Sequence, residues 1–129
     1  VKLAADDVSG AHASLQVLLD KVLAATSDTS IPEGIAAHLH KLHSVLLKLG
    51  AKADIEADRV TFHALSNHVL AIQEVAGNPL GQVLHVVHCP MAFDDTGADW
   101  LQTEGPVANP YFGASMLRCG AVTREVASR

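Results

Sequence analysis

The 129-residue chain is poor in aromatic residues, in basic residues and in long apolar runs. Aromatic residues make up only 4% of it, so its core must be built largely from aliphatic side chains. Nine Lys and Arg against fourteen Asp and Glu give a formal charge of −5, which argues against a nucleic-acid surface because such a surface needs clustered cations. No apolar run approaches the roughly 20 residues of a membrane-spanning helix. We therefore expect neither nucleic-acid binding nor membrane insertion of this domain.

Hydrophobic residues are abundant, at 49% of the composition, and the chain can bury a substantial core. Its length is usual for one domain, so we predict that residues 1–129 form a single domain. The chain begins at Val1 rather than at Met, and we expect that a leader was removed or that the domain was cut from a longer protein.

The first three quarters of the chain have apolar residues at spacings of three and four, which is typical of amphipathic helices. This pattern predicts helices at about 6–26, 32–49 and 54–76. Short connections favour antiparallel neighbours, so the predicted fold is mainly α: an up-down three-helix, possibly four-helix, bundle.

The last third of the chain differs in composition from the rest and is rich in Pro, Gly, Asp and Asn. We predict a strand at about 83–88, an irregular segment at 89–116 and a second strand at about 117–126. Within the irregular segment, one helical turn is expected at 97–102. Because two strands alone are marginally stable in water, we expect a small two-stranded antiparallel β element that packs, with the irregular segment, on the bundle.

Both methionines of the chain lie within three positions of one of its two cysteines. Thiolate and thioether sulfurs are soft donors that suit Cu(I) or Ag(I) better than Ca²⁺ or Mg²⁺. If the two segments pair, four sulfurs converge, and a nearby histidine adds an imidazole. The candidate metal ligands are Cys89, Met91, Met116, Cys119, His88 and His85.

A disulfide between Cys89 and Cys119 explains the same cysteines without a metal. Closing that loop stabilises a fold by about 3–4 kcal/mol in the chain-entropy model, less any strain. Met91 and Met116 are then ordinary core residues. Composition and spacing leave both alternatives open.

A second histidine cluster lies on the predicted second helix. His40 and His43 are three positions apart and face the same way, so they are a secondary candidate pair for one metal ion. His38 is expected to point elsewhere. The alternative is a polar flank beside the leucine stripe, with the histidines exposed or half-buried.

The sequence offers little support for catalysis. It has no glycine-rich phosphate loop, no H-E-x-x-H motif and no nucleophile elbow. Cys89 and His88 are adjacent in a predicted strand and therefore point to opposite faces. We expect no enzymatic activity.

Several segments together resemble a bacterial domain of unknown function. That domain occurs in secreted proteins and with the periplasmic adaptor (membrane-fusion) subunits of heavy-metal RND efflux pumps. Its signature reads C-P-M-A, W-L, N-P-Y-[FY]-G and M-L-x-C-G, preceded by R-x-x-F-x-x-L-S in the last long helix. The matching segments here are Arg59–Ser66, His88–Ala92, Asp99–Leu101, Asn109–Gly113 and Met116–Gly120.

The resemblance implies a periplasmic or exported, non-enzymatic domain associated with copper or silver efflux. It favours soft-metal binding at Cys89, Met91, Met116 and Cys119, with the ion and an efflux adaptor or other periplasmic protein as partners. An oxidising periplasm equally favours the disulfide. The alternative function is therefore a structural or protein-interaction module of an efflux adaptor, stabilised by a Cys89–Cys119 disulfide.

Overall fold

The structure, a computed structural model, covers residues 1–129. Helices occupy the first part of the chain and a small sheet the second. The main elements are α1 (Val8–Thr26), α2 (Glu33–Leu46), α3 (Ile55–Ala76), β1 (Leu84–Cys89), α4 (Ala92–Asp95), β2 (Ala98–Thr103) and β3 (Ala121–Val126). Two short 3₁₀ turns are Leu3–Ala5 and Gly113–Met116.

The ends of the long helices are set by local hydrogen bonds. Asp7 is the N-cap of α1 and accepts from the Gly10 N–H at 2.9 Å, so this helix begins two residues later than predicted. Asp54 caps α3 in the same way. Helix α2 ends at Leu46 rather than at residue 49, because the amides of residues 48 and 49 bond back three positions instead of four.

The three long helices pack together through an aliphatic cluster. Its buried members are Leu15, Val22, Leu42, Leu46 and Leu65. A buried polar contact adds to it, since His12 Nδ1 on α1 lies 3.1 Å from Asp58 Oδ1 on α3. The prediction of helices with a small β element is thus confirmed.

The predicted bundle topology differs from the structure. Helix α3 packs against α1 and α2 and also against strand β2, so it is shared between a helical layer and the sheet. The fourth helix, α4, is only four residues long. The molecule is therefore a mixed helix-and-sheet fold rather than a bundle with an appended β element.

The sheet has three antiparallel strands in the order β2-β1-β3, not the two that were predicted. The missed strand is β2, because 97–102 was expected to form a helical turn. Ala98 and Trp100 alternate with more exposed neighbours and lie opposite Cys89 and Val87 of β1. Period-two alternation is the pattern of a strand, and pairing with β1 buries the indole.

The last strand begins at Ala121 rather than at residue 117. Gly120 has φ +134°, a conformation that L side chains rarely adopt, and it separates β3 from the turn before it. The predicted irregular segment 89–116 accordingly contains α4, β2 and a 3₁₀ turn.

The two faces of the sheet meet different parts of the chain. One face packs against Leu70 of α3 through Leu84, Val86 and Val126. The other face is covered by residues 107–119, called the covering segment below. Tyr111 of this segment packs in a cluster with Val87, Cys89, Ala98 and Trp100.

Arg59 ties this covering segment to α3. Its Nε donates to the carbonyl of Pro110 at 3.0 Å, and its Nη2 donates to Asp6 Oδ1 at 2.6 Å. Asp6 Oδ2 in turn accepts from the Ala114 N–H at 2.8 Å. The guanidinium of Arg59, which is itself buried, thereby connects α3 to the N-terminal turn and to the covering segment.

Candidate functional site

The two cysteines meet between the central strand and the segment that covers it. Cys89 ends β1 and is fully buried, whereas Cys119 precedes β3 and is half-buried. Their Sγ atoms are 2.8 Å apart and both residues are free thiols. Both alternatives from the sequence, the metal site and the disulfide, require the two cysteine-bearing segments to meet, and the structure brings them together.

Asn109 fixes the position of the Cys119 backbone. Its side-chain Nδ2 donates to the Cys119 carbonyl at 2.8 Å, and its Oδ1 accepts from the backbone N–H groups of Tyr111 and Phe112. Its own N–H donates to the Leu117 carbonyl at 2.9 Å. Because Asn109 is completely buried, these bonds have no water to replace them.

Two aromatic side chains, Trp100 and Tyr111, pack beside the cysteine pair. Trp100 meets Tyr111 edge to face, with ring centroids 5.8 Å apart, and Tyr111 Oη donates to the Asp99 carbonyl at 2.7 Å. Burial raises the pKa of the Tyr111 hydroxyl. A Cβ at Gly120 would lie 2.9 Å from the indole, so only glycine lets the chain pass this close beside Cys119.

The environment of Cys119 favours the protonated form of its thiol. The hydrogen bond with Cys89 and then burial raise the pKa of the Cys119 thiol, and the backbone N–H of Met91 opposes this rise. A nucleophilic cysteine has a lowered pKa, so the environment here is of the opposite kind. A metal ion that binds must displace these protons.

The two methionines share one part of the surface. Met91 and Met116 both line an open cleft of about 710 Å³. The convergence of both thioethers with the thiol pair on one ion stays a prediction.

A strained turn forms one wall of this cleft. Phe93, Asp94 and Asp95 have φ values of 52°, 53° and 60°, and left-handed backbone costs an L residue roughly 1–2 kcal/mol. The Phe93 ring is 4.6 Å from that of His63 and 5.4 Å from that of Tyr111, between centroids. These aromatic contacts offset part of the strain and fix the path of the chain after the first cysteine.

The structure places the two predicted histidine donors away from the thiols. His88 lies on the face of β1 opposite Cys89, with Nδ1 2.8 Å from Asp99 Oδ1. His85 shares the face of Cys89 but is four residues, about 13 Å, along the strand. Its Nε2 is 3.2 Å from Glu125 Oε1.

The secondary histidine pair gains no further ligand. His40 is exposed and His43 is half-buried on α2. No group of three or more His, Cys, Asp or Glu side chains with the geometry to hold a metal ion occurs anywhere in the structure. The pairing of His40 with His43 stays a prediction.

A histidine pair that the sequence analysis missed lies between α2 and α3. His38 Nδ1 is 3.2 Å from His68 Nδ1. His38 lies four positions before Leu42, and His68 lies three positions after Leu65, so each histidine is next to the apolar stripe of its helix. The sequence shows these positions, but it does not show how α2 and α3 align and therefore does not predict the contact.

Comparison with known proteins adds no relative. The chain matches no protein-family model, no curated protein and no solved structure. None of its helices combines enough length with enough hydropathy to span a bilayer.

We predict that Asn109→Ala lowers the free energy of unfolding by about 2–4 kcal/mol, because it leaves several buried backbone groups without partners. Urea unfolding measures the change. Asn67→Ala, at an exposed position of α3, is the matched control and is expected to alter stability by less than about 0.5 kcal/mol. Equal effects of the two substitutions contradict the role given to Asn109.

We further predict that iodoacetamide modifies Cys119 with a pH profile displaced to higher pH than that of a cysteine in an unfolded peptide. The raised pKa means that less thiolate is present at any given pH. In Cys89→Ser, the loss of the partner thiol is expected to move the profile back towards lower pH. Peptide mass mapping of the reaction at several pH values tests this, and a profile below that of the peptide contradicts it.

Proposed function

We propose that this protein is a non-enzymatic extracytoplasmic domain that binds a soft monovalent metal ion, Cu(I) or Ag(I), through Cys89 and Cys119. The observation that supports the proposal is the meeting of these two thiols, 2.8 Å apart, although they are 30 positions apart in the sequence. Two thiolates are a donor set that selects soft ions.

The surroundings of the pair fit this chemistry. No carboxylate or imidazole joins the two thiols, so the site lacks the hard oxygen ligands of Ca²⁺ or Mg²⁺. The ion in this proposal is cargo, and Cys119 is the side from which it is reached because that residue is half-exposed while Cys89 is buried. Proton release accompanies binding, since both thiols must ionise.

The biological setting of the proposal derives from the resemblance to the efflux-associated domain. In that setting the domain lies in the periplasm or outside the cell, and it takes up copper or silver for an efflux adaptor or another periplasmic protein. Transfer proceeds by ligand exchange, in which a thiolate or thioether of the partner replaces one cysteine at a time. Met91, Met116, His85 and His88 are not required as ligands in this form of the proposal.

A second candidate function is a structural or interaction module of an efflux adaptor in which the same cysteines form a disulfide. The burial of Cys89 against Trp100 and Tyr111 favours it, because the bond would fasten the covering segment to the sheet. The intact mass of the chain isolated without reductant separates the candidates. A deficit of two hydrogens with no titratable thiol supports the disulfide, and free thiols support the ion-binding form.

We predict that the reduced chain binds one equivalent of Cu(I) in competition with a chromophoric Cu(I) chelator. Cys89→Ser and Cys119→Ser each remove one of two thiolates and are expected to weaken binding at least a hundredfold. Met91→Leu and Met116→Leu are the matched controls, which remove a thioether at similar volume and are expected to change affinity less than threefold.

Failure of the unmodified chain to compete, or equal loss in the cysteine and methionine variants, overturns the proposal. Circular dichroism of each variant without metal accompanies the titration, so that a loss of fold is distinguished from a loss of ligand.

A further inference from the structure

Two histidines from neighbouring helices face each other far from the cysteine pair in sequence. His38 lies on α2 and His68 on α3, and both side chains are half-buried. Their Nδ1 atoms are 3.2 Å apart, and their ring centroids are 5.4 Å apart with the planes tilted by 54°. The rings therefore approach through nitrogen atoms and not by stacking.

The separation of the two nitrogens matches that of two ligands on one metal ion. Zinc–imidazole bonds are about 2.0–2.1 Å long, so two nitrogens in a tetrahedral arrangement are about 3.3 Å apart. In the metal-free chain one Nδ1–H donates to the other Nδ1 at nearly the same distance. A bound ion would replace that single shared proton without a large movement of either helix.

The environment of His68 favours the neutral imidazole, which is the form that binds a metal ion. Burial, followed by the proximity of His38 and then of Lys41, lowers the pKa of His68. Lys41 is the cationic side chain that faces the pair, and it reduces the affinity for a cation without occupying a ligand position. The formal charge of the whole chain, −5, acts in the opposite direction.

We propose that His38 and His68 form a two-histidine site for a divalent first-row metal ion such as Zn²⁺, separate from the thiol pair. Imidazole nitrogens suit zinc, copper(II) and nickel, whereas the thiol pair suits soft monovalent ions. No third protein ligand converges here, so water completes the coordination and the bound ion bridges α2 to α3.

The test uses the full chain with Cys89→Ser and Cys119→Ser, so that thiols do not bind the probe. Zn²⁺ is titrated in competition with a fluorescent zinc indicator. We expect one equivalent to bind, and His38→Gln or His68→Gln to weaken binding at least tenfold. The double variant His40→Gln, His43→Gln tests the rival histidine pair of α2, and the present proposal predicts that it changes affinity less than twofold.

A second measurement avoids substitutions at the histidines. In the ¹⁵N-labelled Cys89→Ser, Cys119→Ser chain, Zn²⁺ is expected to shift the Nδ1 resonances of His38 and His68 and to leave those of His40 and His43 in place. Absence of these shifts overturns the proposal, as does a loss of zinc affinity in the His40/His43 variant equal to that in His38→Gln. Neither outcome depends on Cu(I) binding, so this site and the thiol site succeed or fail independently.

Discussion

The fold depends on the close approach of the Cys119 segment to the central strand of the sheet. One buried side chain, Asn109, accepts hydrogen bonds from the backbone N–H groups of Tyr111 and Phe112 and donates one to the carbonyl of Cys119. Gly120 provides the space for this approach, since any Cβ at its position would meet the indole of Trp100. These two residues hold the Cys119 segment against the apolar face of β1.

The same approach determines the chemistry that the site can perform. The two thiols are in contact beside an apolar cluster, which favours the protonated form of Cys119 and leaves the pair accessible from the side of Cys119. A dithiol in this position can exchange its protons for a soft ion or lose them with two electrons to an oxidant, forming a disulfide. These two alternatives are mutually exclusive states of one pair of atoms, so the redox conditions around the domain would control ion binding.

The helices were predictable because they follow from local apolar periodicity, whereas the meeting of the cysteines was a condition of both sequence hypotheses and does not follow from their spacing. Strand β2 was missed because Gly97 and the acidic residues around it indicated a turn, although Ala98 and Trp100 carried the alternation of a strand. The contact of His38 with His68 depends on the register of two helices, which is set by the packing of Leu42 and Leu65 in three dimensions. Met91 and Met116 line a cleft that also includes the left-handed turn at residues 93–95, which no sequence pattern indicated.

The most direct test of the account compares the two redox states of the same chain by native mass spectrometry with one equivalent of Cu(I). The account predicts one bound ion on the reduced chain, none on the chain with a Cys89–Cys119 disulfide, and recovery of binding once that disulfide is reduced and the reductant removed. Equal binding by both states, or no binding by the reduced one, would contradict it.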